Sequence, residues 1–328
     1  MPFILRRIAF YAVAAWVALT LNFFIPRAMP GNAVQGIMAK FPDLQPSAYK
    51  ALEAMLGVGH PGSLLDQYGN YLVDVFHFNF GTDVANYPAS VSSLLVQTIP
   101  WTLVLVGTAT VIAFVAGTLL GILAGWRQGG WADRWLPGLM FLQAIPYFFL
   151  ALVLLELLAV KGHLFPLAQG YDGQLMPGWH WDFIASAIDH SLLPALTIVL
   201  TSVAGWMLQM RNVMITTIGE DYVVAAQAKG LSSRRIVFTY AARNALLPQL
   251  QGFGLAIGFV VSGALVMEIV FSYPGVGLLL LNAVTSTDYP LMQAIFLVIT
   301  FAVLLANLIV DVVIVFIDPR VRAREAAR

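Results

Sequence analysis

Gly-Glu-Asp-Tyr-Val-Val-Ala-Ala-Gln-Ala-Lys-Gly-Leu-Ser-Ser-Arg-Arg, residues 219–235, opens a charged, helix-prone island that runs on to Pro248 between two long apolar segments. Hydrophobic residues make up 59% of the 328 positions and charged residues 10%, and the mean hydropathy is +0.81. Soluble domains carry about a quarter charged residues, so the composition points to a polytopic membrane protein. Against that background a polar insert calls for something to dock on it. The formal net charge of zero says nothing about nucleic acid. The absence of Cys excludes a disulfide framework, a thiolate metal site and a cysteine nucleophile.

Six stretches approach the roughly 20 apolar residues that a bilayer demands: Ile8–Ile25, Trp101–Trp126, Leu136–Val160, Leu192–Met210, Leu250–Phe271 and Leu291–Ile317. Their continuous apolar runs predict helices, because membrane strands alternate. Gly117, Gly121 and Gly125, and again Gly254 and Gly258, stand four apart. Small residues at that spacing let helix backbones approach closely.

Of 17 Lys and Arg, 13 fall on one side of these spans: Arg6, Arg7, Arg127, Arg134, Arg211, Lys229, Arg234, Arg235, Arg243, Arg320, Arg322, Arg324 and Arg328. Only Arg27, Lys40, Lys50 and Lys161 fall on the other. The positive-inside rule then predicts that both termini and the island are cytoplasmic. The first span is expected to be an uncleaved anchor, its apolar run being too long for a signal peptide. The expected organisation is an anchor helix over 1–27, an extracytoplasmic region over 28–98, a five-helix core over 99–317 with a cytoplasmic loop at 213–248, and a tail over 318–328. Amphipathic patches at Tyr49–Leu56 and Leu64–Phe76 mark the external region as ordered, and Trp179 and Trp181 suit an interfacial belt.

The island itself predicts two helices. Glu220 and Asp221 open the first and Lys229 closes it, complementing the helix dipole. Gly230 stands where a C′ glycine ends a helix, and Ser232 or Ser233 suits the cap of the second. Ala225, Ala226 and Ala228 would let another surface approach, with Tyr222 and Lys229 on the same face by three-four spacing.

These residues resemble the cytoplasmic loop of ABC-transporter permeases, and more closely that of the B-type permease of the dipeptide/oligopeptide/nickel branch of binding-protein-dependent importers. The resemblance rests on Asp221-Tyr222-Val223, Ala228-Lys229-Gly230-Leu231-Ser232 and Arg243-Asn244-Ala245-Leu246-Leu247-Pro248. Val224 replaces the superfamily's Glu and Arg243 its Pro, both as is usual in that branch. Further matches are Arg27-Ala28-Met29-Pro30-Gly31, Ile99-Pro100-Trp101-Thr102-Leu103, Ala144-Ile145-Pro146-Tyr147-Phe148 and Glu268 to Gly277, then Asp288-Tyr289-Pro290, Asn307 to Asp311 and Asp318-Pro319-Arg320.

The resemblance implies a type I importer permease fold in a prokaryotic inner membrane, crossing it several times. It implies a second, C-type homologous permease, two ATP-binding subunits and an extracytoplasmic substrate-binding protein as partners, with the lipid bilayer and no nucleic acid. The chain is then expected to be no enzyme and to bind no cofactor, ATP and Mg being used by the partner ATPases; no phosphate-binding Gly-x-x-x-x-Gly-Lys-[Ser/Thr] loop occurs in it. Glu220, Tyr222, Ala225, Ala226, Lys229 and Gly230, with Arg234 and Arg235, are the expected ATPase-coupling residues. The branch carries peptides, oligosaccharides or nickel, and short peptides are expected here, with oligosaccharides next. The alternative is an ion- or proton-coupled secondary transporter or channel using Glu268 and Asp311, acids within apolar spans. Against it, Glu156 and Glu268 are expected to reach water near external helix ends, and Asp311 to be satisfied within the bundle. His60, His77, His163, His180 and His190 lack the paired spacing of a metal motif.

Overall fold

A computed structural model describes residues 2–28, 63–83, 88–258, 260 and 265–317. Among them the chain is helical, with a single isolated β-bridge, Thr82 to Ser90. Helices α1 (Pro2–Ala28), α2 (Leu64–Phe76), α3 (Val91–Trp126), α4 (Trp131–Ala144) and α5 (Tyr147–Leu154) come first. A π-helical stretch, Leu155–Lys161, extends α5. Then follow α6 (Trp181–Ile218), α7 (Asp221–Ala228), α8 (Ser233–Arg235), a second π-helical stretch (Ile236–Ala241) and α9 (Ala242–Gly258). Helices α10 (Leu265–Val270), α11 (Val276–Ser286) and α12 (Tyr289–Ile317) complete the order.

Among the described residues, four helices are long and apolar enough to cross a membrane: Leu5–Ile25 of α1, α3, α6 and Tyr289–Ile309 of α12. The expected span Leu136–Val160 is instead a bent pair, α4 and α5 with its extension, turning by 98°. Pro146 causes the break, because the residue before a proline is pushed out of helical geometry. Ile145 accordingly sits at φ −77°, ψ 128°. The expected span Leu250–Phe271 falls on α9 and α10, with residues 259 and 261–264 outside the described set. The patch Tyr49–Leu56 lies outside it as well, whereas Leu64–Phe76 is the helix α2, opened by a reciprocal capping box between Ser63 and Asp66. Helix α6 overruns the predicted Leu192–Met210 at both ends; at 38 residues it is about 57 Å long, well beyond a hydrocarbon core of about 30 Å.

The chain divides into two compact units. One comprises residues 1–102 and 274–305. Here α2 lies against α1 through Phe23, whose ring meets those of Tyr68 and Tyr71 at 5.1 and 5.4 Å. The hydroxyls of Thr20 and Tyr68 are 2.8 Å apart, and Asn22 Nδ2 donates to Tyr71 Oη. Asn22 and Gln293 exchange side-chain to main-chain hydrogen bonds at 3.1 and 2.8 Å, tying α1 to α12. Such pairs satisfy polar groups where water is scarce.

The other unit comprises residues 103–273 and 306–328. Its core is the crossing of α3 on α6. A Cβ placed on Gly117 would stand 2.6 Å from the Val203 carbonyl oxygen, and one on Gly121 2.6 Å from that of Met207. At Gly125 it would stand 2.5 Å from Met214 Cβ. The four-residue glycine spacing is therefore a helix contact, as its periodicity predicts. Helix α4 covers the same seam, burying Ala132 and Leu136 with Ala124 and Met207. Asp133 on α4 pairs with Arg211 on α6, the Arg211 Nε donating to Oδ1 at 2.5 Å. Helix α9 joins through the buried Gln249, which donates to the Trp206 carbonyl at 2.9 Å and to Thr118 Oγ1 at 3.3 Å.

Candidate coupling interface

Helix α6 ends at Gly219, and Glu220 turns the chain through extended geometry (φ −72°, ψ 142°) into α7. Asp221 occupies the first turn of α7, where a negative charge meets the unsatisfied amides of the N-terminus. Glu220 stands at the cap position but makes no side-chain cap.

At the far end Gly230 adopts φ +71°. Its amide donates to the Gln227 carbonyl at 2.9 Å and the Leu231 amide to that of Ala226 at 3.3 Å. That pair of bonds is a Schellman stop, completed by Leu231 packing back on the buried face. Ser232 occupies the cap position of α8 without a side-chain hydrogen bond.

What faces inward fixes the loop in place. Val223, Ala226, Ile236, Val237, Ala241, Ala242 and Ala245 are buried in one cluster with Ile122 of α3 and Met210 and Met214 of α6. Both methionines also line the glycine seam. Island and membrane helices thus share a continuous apolar core, and a displacement of α7 is carried to α3 and α6 by packed side chains rather than by a tether.

What faces outward is mixed. Glu220, Asp221, Ala225, Ala228, Lys229, Arg234 and Arg235 are exposed. Among them stand Tyr222, 39% exposed, and Val224 and Phe238, each 49% exposed. Ser232, Arg234, Arg235, Phe238 and Thr239 line a shallow groove beside them. Apolar and aromatic side chains rimmed by charge are the composition of a protein-binding surface.

The structure redistributes the residues that spacing placed on one face. Tyr222, Ala225 and Lys229 are exposed, but Ala226 is 3% exposed and belongs to the core beneath the loop. At three-four spacing it also aligns with Val223, and burial of that apolar side decides its direction. Phe238 is not singled out in the sequence, and Val224 is noted there only as a departure from the superfamily pattern. The signal at Val224 is an apolar residue whose three-four neighbours, Glu220, Asp221, Gln227 and Ala228, all lie on the exposed side.

The intramembrane acids also differ from expectation. Glu156 is exposed and pairs with Lys161 at 3.2 Å. Glu268 does not reach water: it is fully buried in α10, its carbonyl accepting from the Tyr273 amide at 2.7 Å. Ser272, at φ +46°, ends α10, and Tyr273 Oη lies 3.0 Å from Ser191 Oγ. Asp311 is half-buried on α12.

Several apolar helices, a bent pair and a charged loop built into their core define a multi-pass membrane protein. Residues 117–323 match the family model described as the binding-protein-dependent transport system inner membrane component. The chain belongs to that family. It is 30% identical over 344 residues to the dipeptide transport system permease protein DppB of Escherichia coli K12, covering 99% of this chain and 100% of that one. The oligopeptide transport system permease protein AppB of Bacillus subtilis is 30% identical over 302 residues, 92% and 93% of the two chains. The di/tripeptide transport system permease protein DppB of Pseudomonas aeruginosa is 30% identical over 340 residues, 98% and 99%. The chain is therefore a permease component of an ABC importer and works with other transporter components. That membership answers the alternative of a carrier acting alone.

Proposed function

We propose that this chain forms half of the translocation path of an importer for short peptides. The second half is a C-type homologous permease, two ATP-binding subunits dock on the 213–248 loop, and an extracytoplasmic binding protein delivers the peptide. ATP and Mg are used by those subunits, and this chain binds neither. Both termini lie in the cytoplasm, and residues 28–98 lie outside. The one observation that carries the reading is the shared core of Val223, Ala226, Met210, Met214 and Ile122, which makes the loop a lever on two membrane helices. Closure of the ATP-binding subunits moves that lever, and the path alternates between inward- and outward-facing arrangements as rigid bodies. Peptides are favoured as the cargo by the names of the relatives. Proteoliposomes holding all the components test it. Uptake of a labelled dipeptide should need internal ATP and persist with a protonophore; uptake that follows a proton gradient without ATP would refute the reading.

A further inference from the structure

Within the unit formed by residues 103–273 and 306–328, a cavity of about 370 Å³ opens among α3, α5, α6, α9 and α10. It is lined by Val106, Thr110, Tyr147, Ile198, Thr201, Ser202, Trp206, Ala256, Val260 and Met267. Its volume falls within the roughly 300–1,000 Å³ of small-molecule pockets, near the lower end. On α6 it spans Ile198 to Trp206, the middle of the apolar stretch Leu192–Met210 and so the depth farthest from either end of that stretch.

Its lining chemistry is unusual for that depth. Four hydroxyls and one indole N–H stand among aliphatic side chains. Thr201 is occupied, donating to the carbonyls of Thr197 and Ile198 at 2.9 and 3.1 Å. The hydroxyls of Thr110, Tyr147 and Ser202 make no hydrogen bond among the described residues. Each belongs to a residue that is only half-buried. Hydroxyls without partners are costly in hydrocarbon unless a cavity gives them water or a ligand. Tyr147 is also the first residue after the 98° bend, and broken membrane helices occur where they line a path.

We propose that this cavity is a substrate station on the path, and that Thr110, Tyr147 and Ser202 hydrogen-bond the amide backbone of a passing peptide. The inference rests on the importer reading and names the contact residues within it. The hydroxyls match amide N–H and C=O groups, which every peptide carries, and Val106, Ile198, Val260 and Met267 receive apolar side chains. Among the described residues, no Asp, Glu, Lys, Arg or His lines the cavity. It therefore neither ligates a divalent metal nor selects on the charge of a peptide side chain.

The lack of any Cys in the chain makes the test direct. In the assembled transporter, Ser202→Cys and the outward-facing control Val111→Cys are treated with a small water-soluble thiol reagent. Thiols ionise and react in water but not in hydrocarbon, so Ser202→Cys should react about tenfold faster or more. Dialanine supplied with ATP and the binding protein should slow its modification, and maltose or nickel should not. Ser202→Trp should cut dialanine uptake at least about tenfold with assembly intact, and Ser202→Ala about fivefold, as loss of one neutral hydrogen bond implies. Equal labelling rates, or full uptake by Ser202→Trp, would overturn the station while leaving the importer reading standing. Protection by maltose instead of dialanine would overturn the peptide assignment. Failure of the unsubstituted transporter to take up dialanine with ATP would overturn both.

Discussion

Gly107 and Gly121 sit on the same helix, yet an added methyl group should do opposite things at the two. At Gly107 a Cβ meets nothing within 4 Å. At Gly121 it meets the Met207 carbonyl oxygen and Met210 Cβ at 2.6 Å and the Arg211 amide nitrogen at 3.1 Å. Two of those atoms are backbone, so no rotamer change relieves the contact; α3 must move off α6. Both substitutions gain the same helix propensity, about 1 kcal/mol in favour of Ala, so that gain cancels in the comparison. What remains is the overpacking cost, about 1–3 kcal/mol, with the backbone contacts placing it toward the upper end. Thermal unfolding of the detergent-solubilised transporter should rank Gly107→Ala at or above the parent and Gly121→Ala clearly below it. Because Met210 also packs under the island, Gly121→Ala should weaken ATP-dependent uptake as well. Equal melting temperatures for the two variants would refute the close α3–α6 seam and the rigid path it gives to the loop.

Other outcomes follow from the island and its supports. Ala226→Asp places a carboxylate where 3% is exposed, among Val223, Met210 and Met214, so it should unseat the loop and raise its protease sensitivity; Ala225→Asp, on the exposed side, should leave protease resistance unchanged and abolish uptake. Gly230→Ala has open space at its Cβ but needs φ +71°, so it should cost about 1–2 kcal/mol of backbone strain, with Gly230→Asn milder; limited proteolysis of the loop reads both. Asp133→Asn removes a partly buried ion pair with Arg211 (side chains 14% and 23% exposed) and should cost about 1–3 kcal/mol, seen as a lower melting temperature that Arg211→Leu on the same background does not lower further.

Hydropathy and spacing carried much of this architecture because the bilayer leaves few choices. A continuous apolar run must be helical, glycines four apart mark a close crossing, and a glycine after an alanine-rich turn needs positive φ. Each is a local rule, and Gly117, Gly121, Gly125 and Gly230 obey it. The misses came from what hydropathy averages away. Leu136–Val160 reads as one apolar span although Pro146 splits it, because a proline changes backbone geometry while barely changing mean hydropathy. The polar ends of α6, from Trp181 and out to Ile218, are helical but carry too little apolar signal to be included. Within the island, spacing fixed the set Tyr222, Ala225, Ala226 and Lys229 but not which edge of it turns inward. That choice belongs to the tertiary contact with Met210 and Met214, about a dozen residues upstream. Glu268 is fully buried just before the helix stop at Ser272 and Tyr273, a burial set by tertiary packing that no helical periodicity records.

The central claim is that an ATP-binding subunit seats on the outward face of α7. Since the chain has no Cys, Ala225→Cys introduces a single thiol there, exposed and beside Tyr222 and Lys229. A short thiol-directed photo-crosslinker on that residue, in the transport-competent assembly, should capture an ATP-binding subunit at a yield that changes when ATP is added. Capture of no ATP-binding subunit, from an assembly that still takes up peptide, would contradict the claim.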